Sequence, residues 1–127
     1  MRSIILILSL FMLGVAPAHR WIDVEASAYC PCAKCTNGDG VTASGRDASL
    51  PGVAVDGKFI RRGEHLDIPG YKRGPNANGS WILADDTGGA MRQAAKRGKV
   101  LIDVRFASHQ EALNWGRQWI RVRVWEK

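Results

Sequence analysis

The sequence lacks an apolar run long enough for an ordinary transmembrane helix. Its longest run, Ile4–Val15, spans about 12 residues, whereas a helix that crosses a bilayer needs about 20. The run follows the positively charged Met1-Arg2 and precedes Ala16-Pro17-Ala18, the small-residue pattern of a signal-peptidase site. We therefore predict a signal peptide over residues 1–18, with an uncleaved N-terminal anchor as the alternative. After cleavage, residues 19–127 would form one exported domain with no integral membrane span.

The sequence also lacks a block of charge of one sign. It contains 18 Lys and Arg and 12 Asp and Glu, a formal net charge of +6 at pH 7, and the basic residues are dispersed along it. A basic surface favours acidic polymers, and export removes most nucleic-acid partners. We therefore expect a location in the periplasm, the cell wall or outside a bacterial cell. Anionic lipid and an acidic cell-wall polymer stay open as partners, a nucleic acid is not expected, and a monomer is favoured.

Cysteine is scarce, and its number is odd. The three cysteines, Cys30, Cys32 and Cys35, form a C-x-C-x-x-C cluster, so one thiol is left over after any disulfide. Three thiolates and a fourth ligand would suit Zn²⁺, and His65 and His109 are both candidates for that ligand. Three alternatives stay open: a disulfide with one free thiol, a structural zinc site, and three reduced thiols.

Short alternating segments predict a mainly β fold. Apolar and polar residues alternate with a period of two, which is typical of half-buried strands. Strands are predicted over residues 21–29, 52–56, 64–68, 81–84, 100–106 and 119–125. About six short strands in a domain of this length predict a small closed barrel.

Helical signals are confined to two places. Ser108 and Glu111 form a capping box, and Gly116 follows the apolar residues of the same segment, so a short helix is predicted between them. Residues 90–99 are compatible with either a second short helix or a basic loop. The expected barrel therefore carries one or two short helices.

Three aspartates occupy comparable places in the predicted strands. Asp56 ends one strand, Asp86 follows another, and Asp103 lies on the polar face of a third; strand alternation turns Asp85 away from Asp86. Carboxylates at such positions are unfavourable unless they are paired or have a chemical role. If the strands bring them together, mutual repulsion raises the pKa of at least one, which can then donate a proton to a leaving oxygen. Three unrelated surface acids are the alternative.

The tripeptide Asp86-Thr87-Gly88 also matches the active-site motif of aspartic proteases. Those enzymes need two apolar residues before the aspartate, and Ala84-Asp85 is a poor match. They also need a later apolar segment that contains glycine, and residues 100–106 contain none. A homodimeric aspartic protease is therefore a minor alternative.

An ordered set of short motifs extends over nearly all of residues 19–127. In chain order they are Ala28-Tyr29-Cys30-Pro31, Thr42-Ala43-Ser44-Gly45, Val53-Ala54-Val55-Asp56, Ile68-Pro69-Gly70-Tyr71, Asp86-Thr87-Gly88-Gly89-Ala90, Ile102-Asp103-Val104, Ser108-His109, Glu111-Ala112 and Trp115-Gly116. Together they resemble the 3D domain family, named for three aspartates, and are similar to the C-terminal domain of membrane-bound lytic transglycosylase A.

The resemblance implies a six-stranded double-psi β-barrel that acts as a peptidoglycan lytic transglycosylase. Such an enzyme cleaves the MurNAc–GlcNAc bond of a glycan strand, leaves a 1,6-anhydroMurNAc end and needs no cofactor. By resemblance, Asp103 is the catalytic acid and base, and Asp56 and Asp86 are supporting catalytic carboxylates. Asp86 is the alternative candidate for the catalytic acid and base. Thr87 would donate a hydrogen bond to one of these carboxylates. The residues expected to bind substrate are Thr42, Ser44, Thr87 and Gly88.

One departure from the family pattern is the long interval between Asp86 and Asp103. Residues 91–99 resemble an insertion and carry four basic side chains. The insertion favours a second class of function, a catalytically silent barrel of the expansin-like kind that binds the cell wall. The set of three aspartates favours the enzyme.

Overall fold

The computed structural model describes residues 17–127, so the predicted signal peptide, apart from its last two residues, lies outside the described residues. The elements, in chain order, are β1 His19–Tyr29, β2 Val53–Val55, β3 His65–Asp67, β4 Ile82–Thr87, α1 Gly89–Lys96, β5 Leu101–Arg105, α2 His109–Trp115 and β6 Gln118–Trp125. All six predicted strands are present, and residues 90–99 contribute to α1. Neither of the described helices has the length and apolarity needed to span a membrane.

The six strands close into a barrel in the order β1-β5-β2-β4-β3-β6. The pairs β1–β5 and β2–β4 are parallel, and the other four pairs are antiparallel. The prediction of a small, mainly β barrel with one or two short helices is confirmed. Two parallel pairs in a mixed barrel agree with the double-psi arrangement that the resemblance implies.

Alternating apolar side chains fill the barrel. The residues of β1, β5, β6 and their flanks that the sequence directs inward all belong to one core cluster or pack against it: Ile22, Val24, Ala26, Ala28, Val100, Ile102, Val104, Phe106, Ile120, Val122 and Val124. Burial of one such aliphatic side chain contributes about 1.5–3 kcal/mol. Burial of these side chains therefore stabilises the closed barrel.

A smaller apolar cluster lies outside the barrel, beneath α1. It consists of Tyr29, Ala54, Met91, Ala94 and Leu101. Met91 and Ala94 lie on one face of α1 because three residues are nearly one helical turn, while the basic side chains of this helix are exposed. The helix therefore covers part of the outer surface of β2 and β5.

The second helix, α2, begins after Ser108, as the capping box predicts. The backbone N–H of Glu111 donates to Ser108 Oγ at 3.2 Å, and the Ser108 hydroxyl donates to the Glu111 carboxylate at 3.0 Å. Gly116 ends the helix with a φ of 65°, a conformation that favours glycine. The cap fixes the place of His109, the first residue of the helix.

Candidate functional site

Strand pairing places Asp86 and Asp103 on either side of one alanine. Ala54 of β2 pairs with Asp86 of β4 and with Asp103 of β5. Because adjacent strands are about 4.8 Å apart, the two aspartate backbones lie about 10 Å from each other. Residues paired in register project to the same face of a sheet. Two of the three predicted aspartates therefore belong to one site on the outer surface of the barrel.

Asp103 has the properties of a general acid. Its side chain is half-buried, and burial raises the pKa of its carboxyl from 3.8 to about 6. A hydrogen bond from the Ser27 hydroxyl, 3.2 Å long, and the charge of Arg117 lower this pKa, whereas the charge of Asp86 raises it. A carboxyl group that is still partly protonated near pH 6 can donate a proton to a leaving group.

Asp86 accepts three hydrogen bonds. The backbone N–H groups of Ala43 and Thr87 donate to Oδ1 at 2.8 and 2.9 Å, and the Tyr29 hydroxyl donates to Oδ2 at 2.8 Å. Charge-assisted hydrogen bonds of this kind are stronger than neutral ones, and an ionised carboxylate is an acceptor only. The surroundings of Asp86 therefore suit a fixed negative charge better than a proton donor.

The turn at residues 42–46 holds Ala43 against Asp86. The hydroxyl oxygens of Thr42 and Ser44 are 2.9 Å apart, and the Ser44 hydroxyl donates to the Asp85 carbonyl at 2.7 Å. Thr42 and Ser44 thus attach the turn to β4 and orient the Ala43 N–H. Their predicted contact with substrate stays a prediction.

Thr87 and Gly88 connect β4 to α1. The backbone N–H of Thr87 donates to the Asp86 carboxylate, and the predicted role of the Thr87 side chain as a donor stays a prediction. Gly88 precedes the helix as its N-cap, and a Cβ at this position would collide with the methyl group of Met91. The Met91 methyl group is the end of a flexible side chain that can move aside, and a role of Thr87 or Gly88 in substrate binding stays a prediction.

Asp56 forms its hydrogen bonds within its own loop. The backbone N–H groups of Lys58, Phe59 and Ile60 donate to its Oδ1 at 2.5, 2.6 and 3.4 Å. Its other oxygen, Oδ2, is buried and has no hydrogen-bond partner among the described residues. Asp56 therefore stabilises the turn after β2, and none of its hydrogen bonds joins it to the acid pair. Its role as a supporting carboxylate stays a prediction.

A buried ion pair lies behind Asp86. Arg105 is fully buried, and it donates two hydrogen bonds to Asp85, at 2.8 and 2.6 Å. Arg46 donates a further hydrogen bond to Asp85 at 2.6 Å. Burial alone lowers the pKa of Arg105, but the hydrogen bond to Asp85 and the contact with Tyr29 raise it above its ordinary value. Because Arg105 also donates to the Tyr29 hydroxyl at 3.0 Å, polar contacts run from Asp85 to Asp86.

Neither Tyr29 nor Arg105 is predicted as a site residue from the sequence. Arg105 shares the polar face of its strand with Asp103, two residues earlier, and that placement was the available signal. Tyr29 ends the first alternating strand, where a buried aromatic side chain is the ordinary expectation. Only the closed barrel shows that its hydroxyl reaches the Asp86 carboxylate.

Two adjoining clefts have basic residues in their linings. One of about 540 Å³ is lined by Arg20, Lys58, Phe59, Arg61, Arg62, Glu64, Glu126 and Lys127. The other, of about 550 Å³, shares Arg62 and Lys127 and reaches Ala43. Asp86 and Asp103 line neither cleft, although Asp85 lines the second one.

The three cysteines meet one histidine at the start of α2. The ligand atoms of Cys30, Cys32, Cys35 and His109 all lie within 4.8 Å of one another. His109 Nδ1 is 3.8, 3.8 and 3.4 Å from the three sulfur atoms in that order, and none of the three cysteines forms a disulfide. This group could hold a metal ion. His65, the other candidate ligand, instead stacks on an indole ring 4.2 Å away.

The acid pair suits proton transfer beside a developing positive charge. The Asp103 carboxyl, with a pKa of about 6, can donate a proton at mildly acidic pH, and three hydrogen-bond donors hold the Asp86 carboxyl group in place. No protein-family model and no curated protein sequence matches this chain.

Proposed function

We propose that this protein is an exported lytic transglycosylase that cleaves the glycan strands of peptidoglycan. The observation that carries the proposal is the half-buried Asp103, whose carboxyl has a pKa raised to about 6 and feels the charge of Asp86. The resemblance of the ordered motifs to the 3D domain family supports the same activity. The bond cleaved is the glycosidic bond between MurNAc and GlcNAc.

Catalysis begins with proton transfer from Asp103 to the glycosidic oxygen. The bond from this oxygen to C1 of MurNAc breaks, the GlcNAc hydroxyl leaves, and positive charge develops on the MurNAc ring. The Asp103 carboxylate then removes the proton from the C6 hydroxyl of the same sugar. The C6 oxygen bonds to C1 and closes the 1,6-anhydro ring, and Asp103 is returned to its protonated form.

Asp86 would stabilise the positive charge that develops on the sugar ring. Its carboxylate is held by Tyr29, Ala43 and Thr87, so it need not reorganise as the charge forms, and preorganised charge is an effective source of catalysis. Asp86 also helps to keep the pKa of Asp103 high. These two effects assign the proton to Asp103 and the permanent charge to Asp86.

The proposed reaction requires no cofactor and no water. Both proton transfers use one carboxyl group, and the nucleophile belongs to the substrate, so the attack is intramolecular and entropically favoured. Ordinary glycosidases instead need a second carboxyl group as nucleophile or base. A basic lining that includes Arg62 and Lys127 in two adjoining clefts would attract the carboxylates of the peptide stems.

Digestion of purified sacculi tests the proposal. We expect soluble fragments with 1,6-anhydroMurNAc ends, each one water lighter by mass spectrometry than the product of a muramidase. Asp103→Asn should release none, and Asp23→Asn, the same substitution at an exposed ion pair, should behave as wild type. Fragments with reducing MurNAc ends would instead identify a hydrolase.

A catalytically silent wall-binding barrel is the second candidate. The position of the acid pair outside the two basic clefts favours this function. The clefts would bind an acidic polymer without cleaving it. Sacculi that retain the protein but release no fragments, with equal retention of Asp103→Asn, would identify this function.

A further inference from the structure

We propose that Cys30, Cys32, Cys35 and His109 form a structural zinc site. The proposal goes beyond the transglycosylase activity and does not depend on it. Among residues 17–127, this is the one group of three or more potential metal ligands whose donor atoms lie together. Three thiolates and an imidazole are an established ligand set for structural zinc, which is closed by four protein ligands.

Four of the six distances between the donor atoms fit a tetrahedral zinc ion. At ordinary zinc–sulfur and zinc–nitrogen bond lengths, the donor atoms lie about 3.5–3.8 Å apart. The Sγ atoms of Cys30 and Cys35 are 3.5 Å apart, and the three contacts of His109 measure 3.4–3.8 Å. The Cys30–Cys32 pair is closer, at 2.6 Å, and would open by about 1 Å to hold the ion.

The backbone around the cysteines already has the form of a ligand loop. The N–H groups of Cys35 and Thr36 both donate to the Cys32 carbonyl, at 3.1 and 2.9 Å, so a tight turn brings the second and third thiols to the same side. Binding would release the thiol protons to solvent. The resulting complex of Zn²⁺ with three thiolates and a neutral imidazole carries a net charge of −1.

A zinc site at this place would help to hold the residues around Asp86 in position. It would tie the end of β1 to the start of α2, two elements that are far apart in the sequence. Tyr29, the hydrogen-bond donor to Asp86, directly precedes the first ligand, and Cys35 packs against the apolar cluster beneath α1. The metal would therefore anchor the start of the long loop at residues 30–52, whose turn brings Ala43 to Asp86.

His109 distinguishes a metal site from a disulfide, because a disulfide between two of the cysteines does not require an imidazole. We expect the purified protein to contain one zinc ion per chain by elemental mass spectrometry. His109→Ala should weaken zinc binding in competition with a chromophoric chelator. The loss should exceed the roughly 10–100-fold that removal of an outer-shell partner causes. The matched control is His65→Ala, which should bind zinc as wild type does.

Two measurements on the wild-type protein do not rely on a variant that must fold. Cobalt exchanged into the site should give the thiolate-to-metal absorption and the d–d bands of a tetrahedral complex. A strong chelator should lower the Tm, because a ligand that binds only the folded state stabilises it. Three results would overturn the proposal: a reduced protein that takes up no zinc, a His109→Ala variant with unchanged affinity, or a metal-free protein isolated with two of the cysteines oxidised. All these measurements are made without substrate, so their outcome is independent of the proposed enzyme activity.

Discussion

Replacement of Asp103 by asparagine should abolish activity and, at neutral pH, stabilise the barrel. Asparagine has the shape of aspartate, and its amide oxygen can still accept the hydrogen bond from Ser27. It cannot donate and recover a proton, and loss of that step typically lowers turnover by about 10²–10⁴-fold. The same substitution removes a carboxyl group whose ionised form is disfavoured by burial. A gain in stability should therefore accompany the loss of function.

The gain depends on pH in a defined direction. The pKa of Asp103 is about 6 in the folded state, against an ordinary value of 3.8, so the unfolded chain ionises first as the pH rises. Ionisation therefore favours unfolding of the wild type between these two values, and the effect is complete above pH 6. At 1.36 kcal/mol per pKa unit, the wild type loses about 1 kcal/mol at pH 4.5 and about 3 kcal/mol at pH 7.5.

Urea unfolding of both proteins at the two pH values measures this effect. The asparagine variant should gain about 2 kcal/mol more at pH 7.5 than at pH 4.5, relative to wild type. Comparison of the two pH values removes any constant effect of the amide group. In the control Asp23→Asn, the hydrogen bond from Arg121 lowers the pKa of the replaced carboxyl, so any pH-dependent change should have the opposite sign. A stability difference for Asp103→Asn that does not vary with pH would refute the assignment of the acid.

The other predictions concern groups around the acid and in the loops. Ser27→Ala removes a hydrogen bond that lowers the pKa of Asp103, so the alkaline limb of the pH–activity profile should move to higher pH; an unmoved limb would contradict this. Gly52→Ala places a methyl group against the buried ion pair and should lower the free energy of unfolding by about 1–3 kcal/mol, whereas Gly89→Ala, where a Cβ has room, should change it little. Asp56→Ala deprives three backbone N–H groups of their acceptor and should destabilise by about 1–3 kcal/mol. Asp56→Asn keeps an acceptor oxygen, and equal losses in the two variants by urea unfolding would contradict the turn-stabilising role.

The strands and the barrel could be predicted because burial on one face leaves a period of two in the sequence. The signal is weaker where polar residues continue a strand. Residues 81–84 predict only the first part of β4, which extends to Thr87 because its acidic end pairs with β2. Helix α1 could not be separated from a loop, because it is short and no side chain caps its N-terminus.

The contacts of the candidate site were harder to predict, because they join distant parts of the chain. Spacing alone could not choose between His65 and His109 as partner of the cysteines. His109 follows Cys35 by 74 residues, and only closure of the barrel brings them together. The same is true of Tyr29, which lies 57 residues before Asp86. The local sequence pattern identifies which residues are candidates for a site. The residues that each of them contacts depend on the topology of the barrel.

The different tasks of Asp85 and Asp86 depend on one extra residue in β4. The residue of β2 before Ala54 pairs with Ala84, and Ala54 itself pairs with Asp86, so Asp85 is the unpaired residue of a β-bulge. Strict alternation from Ala84, which lies in the barrel core, would direct Asp85 to the outer surface and Asp86 into the core.

The bulge breaks this alternation. Asp86 reaches the outer face beside Ala54, and Asp85 turns to the buried guanidinium of Arg105. The two aspartates therefore have different hydrogen-bond partners, and simple alternation does not account for this difference. Two adjacent and chemically identical side chains thus acquire opposite roles, one as a charge beside the acid and the other as the partner of a buried cation. The β-bulge that separates them cannot be recognised from the pattern of apolar and polar residues. It arises from the pairing of two strands and not from the sequence of either strand alone.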